Sequence, residues 1–263
     1  MSHQSTLSEK EFDGAVAQLR KSIVEKYPQT IVAVSNWLKL KHPDLRRKFN
    51  WKIPPHEGFD PSEYSSNSAA NVALKYFLAR RWQFKGYEGR LRIAHWVIET
   101  WGRVRTNSKV TIQAHTRNAE SWQTRYSHTG IASLSKILAA TKPDKFAVYD
   151  ARVAAALNAI QLSEKVSKGI AFRYCSGRNV VIAGKRNGAG KLVRPGFVHY
   201  YPLSWLTKAG WKVPKSGENY LTYLALLLEC RKRLKRSKIA ELEMTLFSHA
   251  EDLCVGQSKT VSA

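Results

Sequence analysis

The sequence predicts a mainly α-helical domain that carries one β-hairpin, around residues 178–195. Three observations lead there. Apolar residues recur at helical spacing along most of the chain. Start and stop signals bracket those stretches. One segment breaks the pattern, where two short β-prone runs flank a Gly-rich basic turn. No repeat, low-complexity tract or linker divides the 263 residues, so one domain is expected over 1–263.

Each element has its own signal. Ser8 and Glu11 have the spacing of a capping box, and Phe12, Val16, Leu19 and Ile23 follow on one helical face. Pro28 ends that helix after Tyr27. A second helix is predicted from Gln29 to Leu40. Residues 42–68, rich in Pro, Ser and aromatic side chains, read as an irregular connection. Helices resume over 69–82 and 88–104. The stretch "YSHTGIASLSKILAATKPDKFAVYDARVAAALNAI", Tyr126 to Ile160, reads as helix, turn, helix. The hairpin comes from "RNVVIAGKRNGAGKLVRPGF". Two more helices are predicted over 221–236 and 237–253, and the last residues, "CVGQSKTVSA", are expected to fray.

Charge narrows the partner. Lys and Arg number 43 against 20 Asp and Glu, a formal net charge of +23. Such an excess points to a polyanion, and in a folded domain to nucleic acid. Cys175, Cys230 and Cys254 are far apart and form no CxxC pair, which argues against a zinc ribbon and a disulfide framework. Reduced thiols in a cytoplasmic protein fit this usage. The N-terminal residues lack the apolar run of a signal peptide, and no run reaches the roughly 18 apolar residues of a membrane span.

Several stretches compete as sites. "GKRNGAGKL" (184–192) fails as a phosphate loop, because Lys185 stands where Gly is needed and Leu192 where Ser or Thr is needed. As a basic hairpin tip, Lys185 and Arg186 suit a DNA backbone or a solvated turn. "RKRLKRSK" (231–238) suits DNA or a solvated helix end. In "ARRWQFKGYEGRLR" (79–92) aromatic and basic residues alternate, as at nucleic-acid surfaces, although Trp82 and Phe84 also suit a core. Asp150 stands at the N-cap of an alanine-rich helix. Lys136 lies on an otherwise apolar helix, from which it could snorkel to solvent.

Together, these residues resemble the helix-hairpin-helix superfamily of DNA glycosylases, in particular its 8-oxoguanine DNA glycosylase-like branch. That superfamily has a G-h-G hairpin, a helix bearing the nucleophile or its substitute, and a loop ending at a catalytic Asp. "HTG" (128–130) matches the hairpin, Lys136 lies on the next helix, and "KPDKFAVYD" (142–150) ends at Asp150. "EMTLFSHAEDL" (243–253) is similar to the base-pocket helix, with Phe247 in the place of the stacking Phe and Glu243 in the place of a base-reading Gln. The match covers the middle of the chain and one helix near its end. It divides the domain into a helical part (8–110), a helix-hairpin-helix with its catalytic loop (111–160), and the β-hairpin with the C-terminal helices (165–255). Three departures stand out. His128 replaces the first hairpin Gly, and Glu243 replaces Gln. At the superfamily's usual interval before the aspartate stands Ala132, with Lys136 one helical turn further on, about 6 Å along the axis.

The resemblance implies excision of a damaged or modified base from double-stranded DNA. A carboxylate, Asp150, would stabilise the sugar cation that forms as the N-glycosidic bond breaks. Lys136 would attack C1′ as an amine, and loss of solvation on an apolar helix face favours its neutral form. A Schiff base of this kind can also cut the strand, adding AP-lyase activity. The flipped base would stack on Phe247. The N–H groups around His128, Thr129, Gly130 and Ile131 would hold a phosphate, and Arg152, Lys185 and Arg186 would hold the backbone. Oxidised guanine is the branch's usual substrate. Glu243 accepts hydrogen bonds, which suits the amino group of a modified cytosine, such as one in a viral genome. No metal or other cofactor, no membrane and no obligatory protein partner is expected, and the resemblance points to a monomer at the nucleoid. A non-catalytic DNA-binding module on the same fold, or an RNA-binding protein, stays open on sequence grounds.

Overall fold

The alanine-rich run forms helix α8 (Ala151–Ser163), which lies at the centre of the molecule. Residues 153–161 are buried all round, and four alanines among them let neighbouring helices approach closely. The computed structural model describes residues 8–123, 125–235 and 238–261, with side chains to residue 257. The fold is mainly helical. Helices α1 (Glu9–Lys26) and α2 (Pro28–Lys41) precede the short α3 (Leu45–Lys48). Then come α4 (Asn67–Phe84), α5 (Tyr87–His95) with a π turn over Trp96–Trp101, α6 (Lys109–Glu120) and α7 (Ile131–Thr141). After α8 lie the one-turn α9 (Val180–Ala183), strands β1 (Lys185–Arg186) and β2 (Leu192–Arg194), and the short α10 (Phe197–Tyr200) and α11 (Leu203–Lys208). Helices α12 (Asn219–Leu234) and α13 (Ile239–Val261) close the chain.

Helix α13 packs along α8, α12 along α1, and α7 against both α4 and α6. The predicted capping box is present: Ser8 Oγ accepts from the Glu11 N–H, and Glu11 accepts from the Ser8 N–H at 2.7 Å. Pro28 opens α2 rather than merely ending α1, which suits its missing N–H. Trp82 is core and Phe84 is 82% exposed.

Four expectations are corrected. The hairpin is shorter than 178–195, with antiparallel pairing only between β1 and β2. Its β-branched run "VVI" is helical instead, because Asn179 Oδ1 caps the Ile182 N–H at 3.2 Å and Gly184, at φ +77°, ends the turn. Helix α6 was not foreseen; Ser108 caps it, and Ile112, His115, Thr116 and Ala119 form its buried stripe. The 88–104 helix loosens into the π turn. The C-terminal residues stay helical to Val261, anchored by buried Cys254 and by the Tyr201 hydroxyl donating to the Gln257 carbonyl. Of the basic run 231–238, Arg236 and Ser237 lie outside the described residues, as do 1–7 and 262–263. No disulfide joins Cys175, Cys230 and Cys254. No described helix is long and apolar enough to cross a membrane.

Candidate active site

A cavity of about 1130 Å³ opens where the hairpin before α7, the N-terminus of α8, the middle of α13 and the segment 174–179 meet. Lys136, Asp150, Glu243 and Phe247 all line it. Sequence separation between these residues reaches from α7 to α13, so only the fold brings them together.

Lys136 is 8% exposed, so it does not snorkel to solvent. Helical side chains lean toward the N-terminus. Lys136 follows this rule, and its Nζ donates to the Ala132 carbonyl at 2.8 Å. The amine therefore reaches back to the turn of Ala132, which cancels the one-turn offset seen in the sequence. Gly102 makes room for the stem: a Cβ there would lie 2.7 Å from Lys136 Cδ. Asn107 ties the same loop to α7 through the Ser133 hydroxyl at 2.8 Å.

Asp150 is the N-cap of α8. Its Oδ1 accepts from the N–H groups of Arg152 (3.0 Å) and Val153 (3.1 Å). Its second oxygen has no hydrogen bond or ion pair among the described residues. One oxygen thus fixes the side chain, and the other is left for a ligand. Cys175, a half-buried thiol, lines the same cavity. Burial pushes it up to about 12, Asp150 adds to the rise, and Lys136 opposes it. Both charges are therefore felt at one sulfur.

Glu243 is 4% exposed and Lys75, from α4, 1%. Lys75 Nζ donates to Glu243 Oε2 at 2.6 Å, and the Val148 N–H donates to the same oxygen at 3.2 Å. Burial pushes the Glu243 carboxyl up, and Lys75 and the Val148 N–H pull it back. The Phe247 ring meets Trp51 edge-on at 5.6 Å and Phe49 at 6.0 Å. Arg152, expected on the DNA backbone, instead covers the Phe247 ring at 4.6 Å and pairs with Glu251 at 2.7 Å.

The hairpin residues divide. Gly130, at φ +78°, makes the turn, and a Cβ there would lie 2.9 Å from His115 Cε1. The N–H groups of Thr129 and Gly130 donate to nothing among the described residues, whereas the Ile131 N–H donates to the His128 carbonyl at 3.3 Å. The Ile131 side chain is core, 1% exposed. His128 turns inward, its Nε2 donating to the Tyr174 carbonyl at 3.0 Å, which takes it away from a phosphate. Lys185 and Arg186 are exposed on β1 and do not line the cavity.

Sequence reasoning missed the rest of the wall. Phe49 and Trp51 come from the connection taken as irregular, and Trp51 carries the Arg103 guanidinium at 4.4 Å over its ring. Arg103, Arg105 and Arg178 line the cavity and form no ion pair among the described residues. Arg residues dense around one short loop, 103–105, were the available signal. No group of three His, Cys, Asp or Glu side chains suited to a metal occurs among the described residues. Compared with known proteins, the chain matches no family model, no curated protein and no solved structure.

Proposed function

We propose that this chain is a DNA glycosylase of the helix-hairpin-helix type that flips a damaged or modified base out of double-stranded DNA and breaks its N-glycosidic bond. One observation carries the proposal: a carboxylate with one oxygen pinned to a helix N-terminus and the other unpaired shares a cavity with a buried lysine amine. Both suit N-glycosidic cleavage, the carboxylate to stabilise the sugar cation and the amine as a nucleophile in place of water. As the C1′–N bond breaks, its electron pair leaves with the base, and the free Asp150 oxygen faces the cation left on the sugar. The Lys136 amine, released from the Ala132 carbonyl, bonds to C1′ through its lone pair. A proton passes from that nitrogen to the ring oxygen O4′ as the C1′–O4′ bond breaks, and the C1′=N bond that forms is a protonated Schiff base. The reach of Lys136 back to the Ala132 turn supports its place as nucleophile.

The remaining contacts follow the same logic. Phe247 stacks the base once Arg152 leaves its ring, and Arg152 then becomes available to a phosphate. The free N–H groups of Thr129 and Gly130 suit one phosphate at the start of α7. Arg103, Arg105 and Arg178 at the cavity, and Lys185 and Arg186 on the hairpin, supply attraction for the backbone. The substrate under this proposal is oxidised guanine or a modified cytosine.

Borohydride trapping tests it. Duplexes carrying 8-oxoguanine, uracil or modified cytosines are mixed with the protein under reductant. A covalent band with one duplex, lost in Lys136→Ala, is the expected result. Alkali-labile breaks without a band would make water the nucleophile and Lys136 a pocket residue. No breaks with any base would favour a non-catalytic DNA-binding module, in which Asp150 only caps α8.

A further inference from the structure

We infer that Lys75 and Glu243 act as a unit that reads the exocyclic amino group of the bound base, so that the site selects bases with an amino group, and not a carbonyl, at that place on their hydrogen-bonding edge. This rests on the glycosylase reading and narrows its substrate to the amino-bearing class, cytosine- or adenine-like, over the carbonyl-bearing class.

The geometry is asymmetric. Both inward contacts of Glu243, the ammonium of Lys75 at 2.6 Å and the N–H of Val148 at 3.2 Å, fall on Oε2. Oε1 makes no hydrogen bond among the described residues, and Glu243 lines the cavity together with Phe247 one turn along α13. A ring stacked on Phe247 would therefore have its edge toward Oε1. Lys75 is 1% exposed and does not line the cavity, so it touches the carboxylate and not the ligand. It is a positioning residue. Its ammonium opposes the burial that pushes the Glu243 carboxyl up, and its grip on Oε2 leaves one oxygen to offer. A glutamine at this place could turn its amide to give a donor or an acceptor, and would tolerate either kind of base. A carboxylate accepts only. Facing it with a base carbonyl sets two acceptors against each other in a desolvated place, which is unfavourable on both sides.

The test uses the whole chain and DNA that cannot be cleaved, with a 2′-fluorine on the target sugar. Two matched pairs exchange the amino group for a carbonyl, and with it turn the adjacent ring nitrogen from an acceptor into an N–H donor: 5-hydroxymethylcytosine with 5-hydroxymethyluracil, and adenine with hypoxanthine. Each base stands opposite an abasic analogue, so that its own pairing in the duplex does not enter. The expected result is at least about tenfold tighter binding of the amino member in both pairs, the order of one charge-assisted hydrogen bond. Glu243→Gln should bring each pair within about twofold, and Lys75→Arg, which keeps the cation, should retain the preference. Equal binding within the pairs, or a carbonyl preference, by wild-type protein that still distinguishes base-bearing from base-free duplex overturns the inference alone. Wild-type binding that ignores whether a base is present overturns the glycosylase reading as well. The wild-type comparison needs no variant to fold. Thermal unfolding of Glu243→Gln shows whether its loss of preference comes from the edge or from collapse of the site.

Discussion

Replacing Asp150 by Asn separates its two roles. As an N-cap, Asp150 Oδ1 accepts from the N–H groups of Arg152 and Val153 at 3.0 and 3.1 Å. Asn caps as well as Asp. What the folded state loses is the attraction of a full charge for the helix end, about 0.3–1 kcal/mol. In a chain of this size that shifts the melting temperature by at most about 4 °C. The chemical step loses more. An amide oxygen carries no net charge to set against the sugar cation, and removing one such electrostatic partner costs about 3–4 kcal/mol, or 10²- to 10³-fold in rate. Single-turnover cleavage of the duplex found by trapping, with anisotropy for binding and calorimetry for stability, reads all three. The expected pattern is a rate lower by two to three decades, affinity within about threefold, and nearly native stability. A rate within tenfold of wild type, at unchanged stability, would leave Asp150 as a cap alone and remove the catalytic argument.

Gly130→Ala forces a Cβ into left-handed backbone at φ +78° and to within 2.9 Å of His115. It should cost about 1–3 kcal/mol of stability and weaken duplex binding, both measurable by denaturation and anisotropy. Burial pushes Lys142 down to about 8, with its Nζ donating to the Ala119 carbonyl. Its folded value is below its unfolded one, so the unfolded chain binds more protons between them. Stability from this group should therefore rise with pH from about 8 to above 10, by at most about 3 kcal/mol, and Lys142→Met should abolish that rise in a pH series of denaturation curves. Lys185→Ala with Arg186→Ala should lower the slope of log affinity against log salt by nearly 2 if each contacts one phosphate, and leave cleavage at saturating DNA unchanged.

Signals that are local in the chain were legible, and those that depend on distant partners were not. The capping box at Ser8 and the alanine-rich α8 are set by residues within one or two turns, and both form as expected. Helix α6 was obscured by β-branched Val110, Thr111 and Ile112, although Ser108 and its buried stripe specify it. At Val180–Ile182 the same β-branched signal misled in the other direction, and the Asn179 cap prevailed. Lys136 shows the limit clearly. Nothing near it tells whether its amine reaches solvent or turns inward. That is decided by Gly102, Asn107 and the hairpin, which close over α7. Lys75 could not be found at all, since its partner lies 168 residues away. Only the burial of a lysine in the otherwise mixed helix 67–84 marks it.

The charges of the molecule fall into two groups that should respond differently to salt. At the cavity are two amines and two carboxylates: Lys136 on α7, Asp150 at the start of α8, and Glu243 with its buried partner Lys75. They balance one another in a chain whose formal net charge is +23. The excess lies elsewhere, and part of it is at Arg103, Arg105 and Arg178 around the cavity and on the exposed Lys185 and Arg186. Counterions screen exposed charges within about 10 Å at 0.1 M salt and screen buried pairs far less. The buried pair is also weak evidence of a stabilising role, because an apolar pair of similar size is often equal or better by about 1–4 kcal/mol. Under the inference above, it shapes the ligand edge. Affinity for duplex should thus fall by at least about 10³-fold between 50 and 200 mM salt if six or more phosphates are contacted, while the single-turnover rate at saturating DNA stays within about twofold. A rate that fell with salt as steeply as affinity would mean that the exposed arginines, and not the buried set, carry the chemistry.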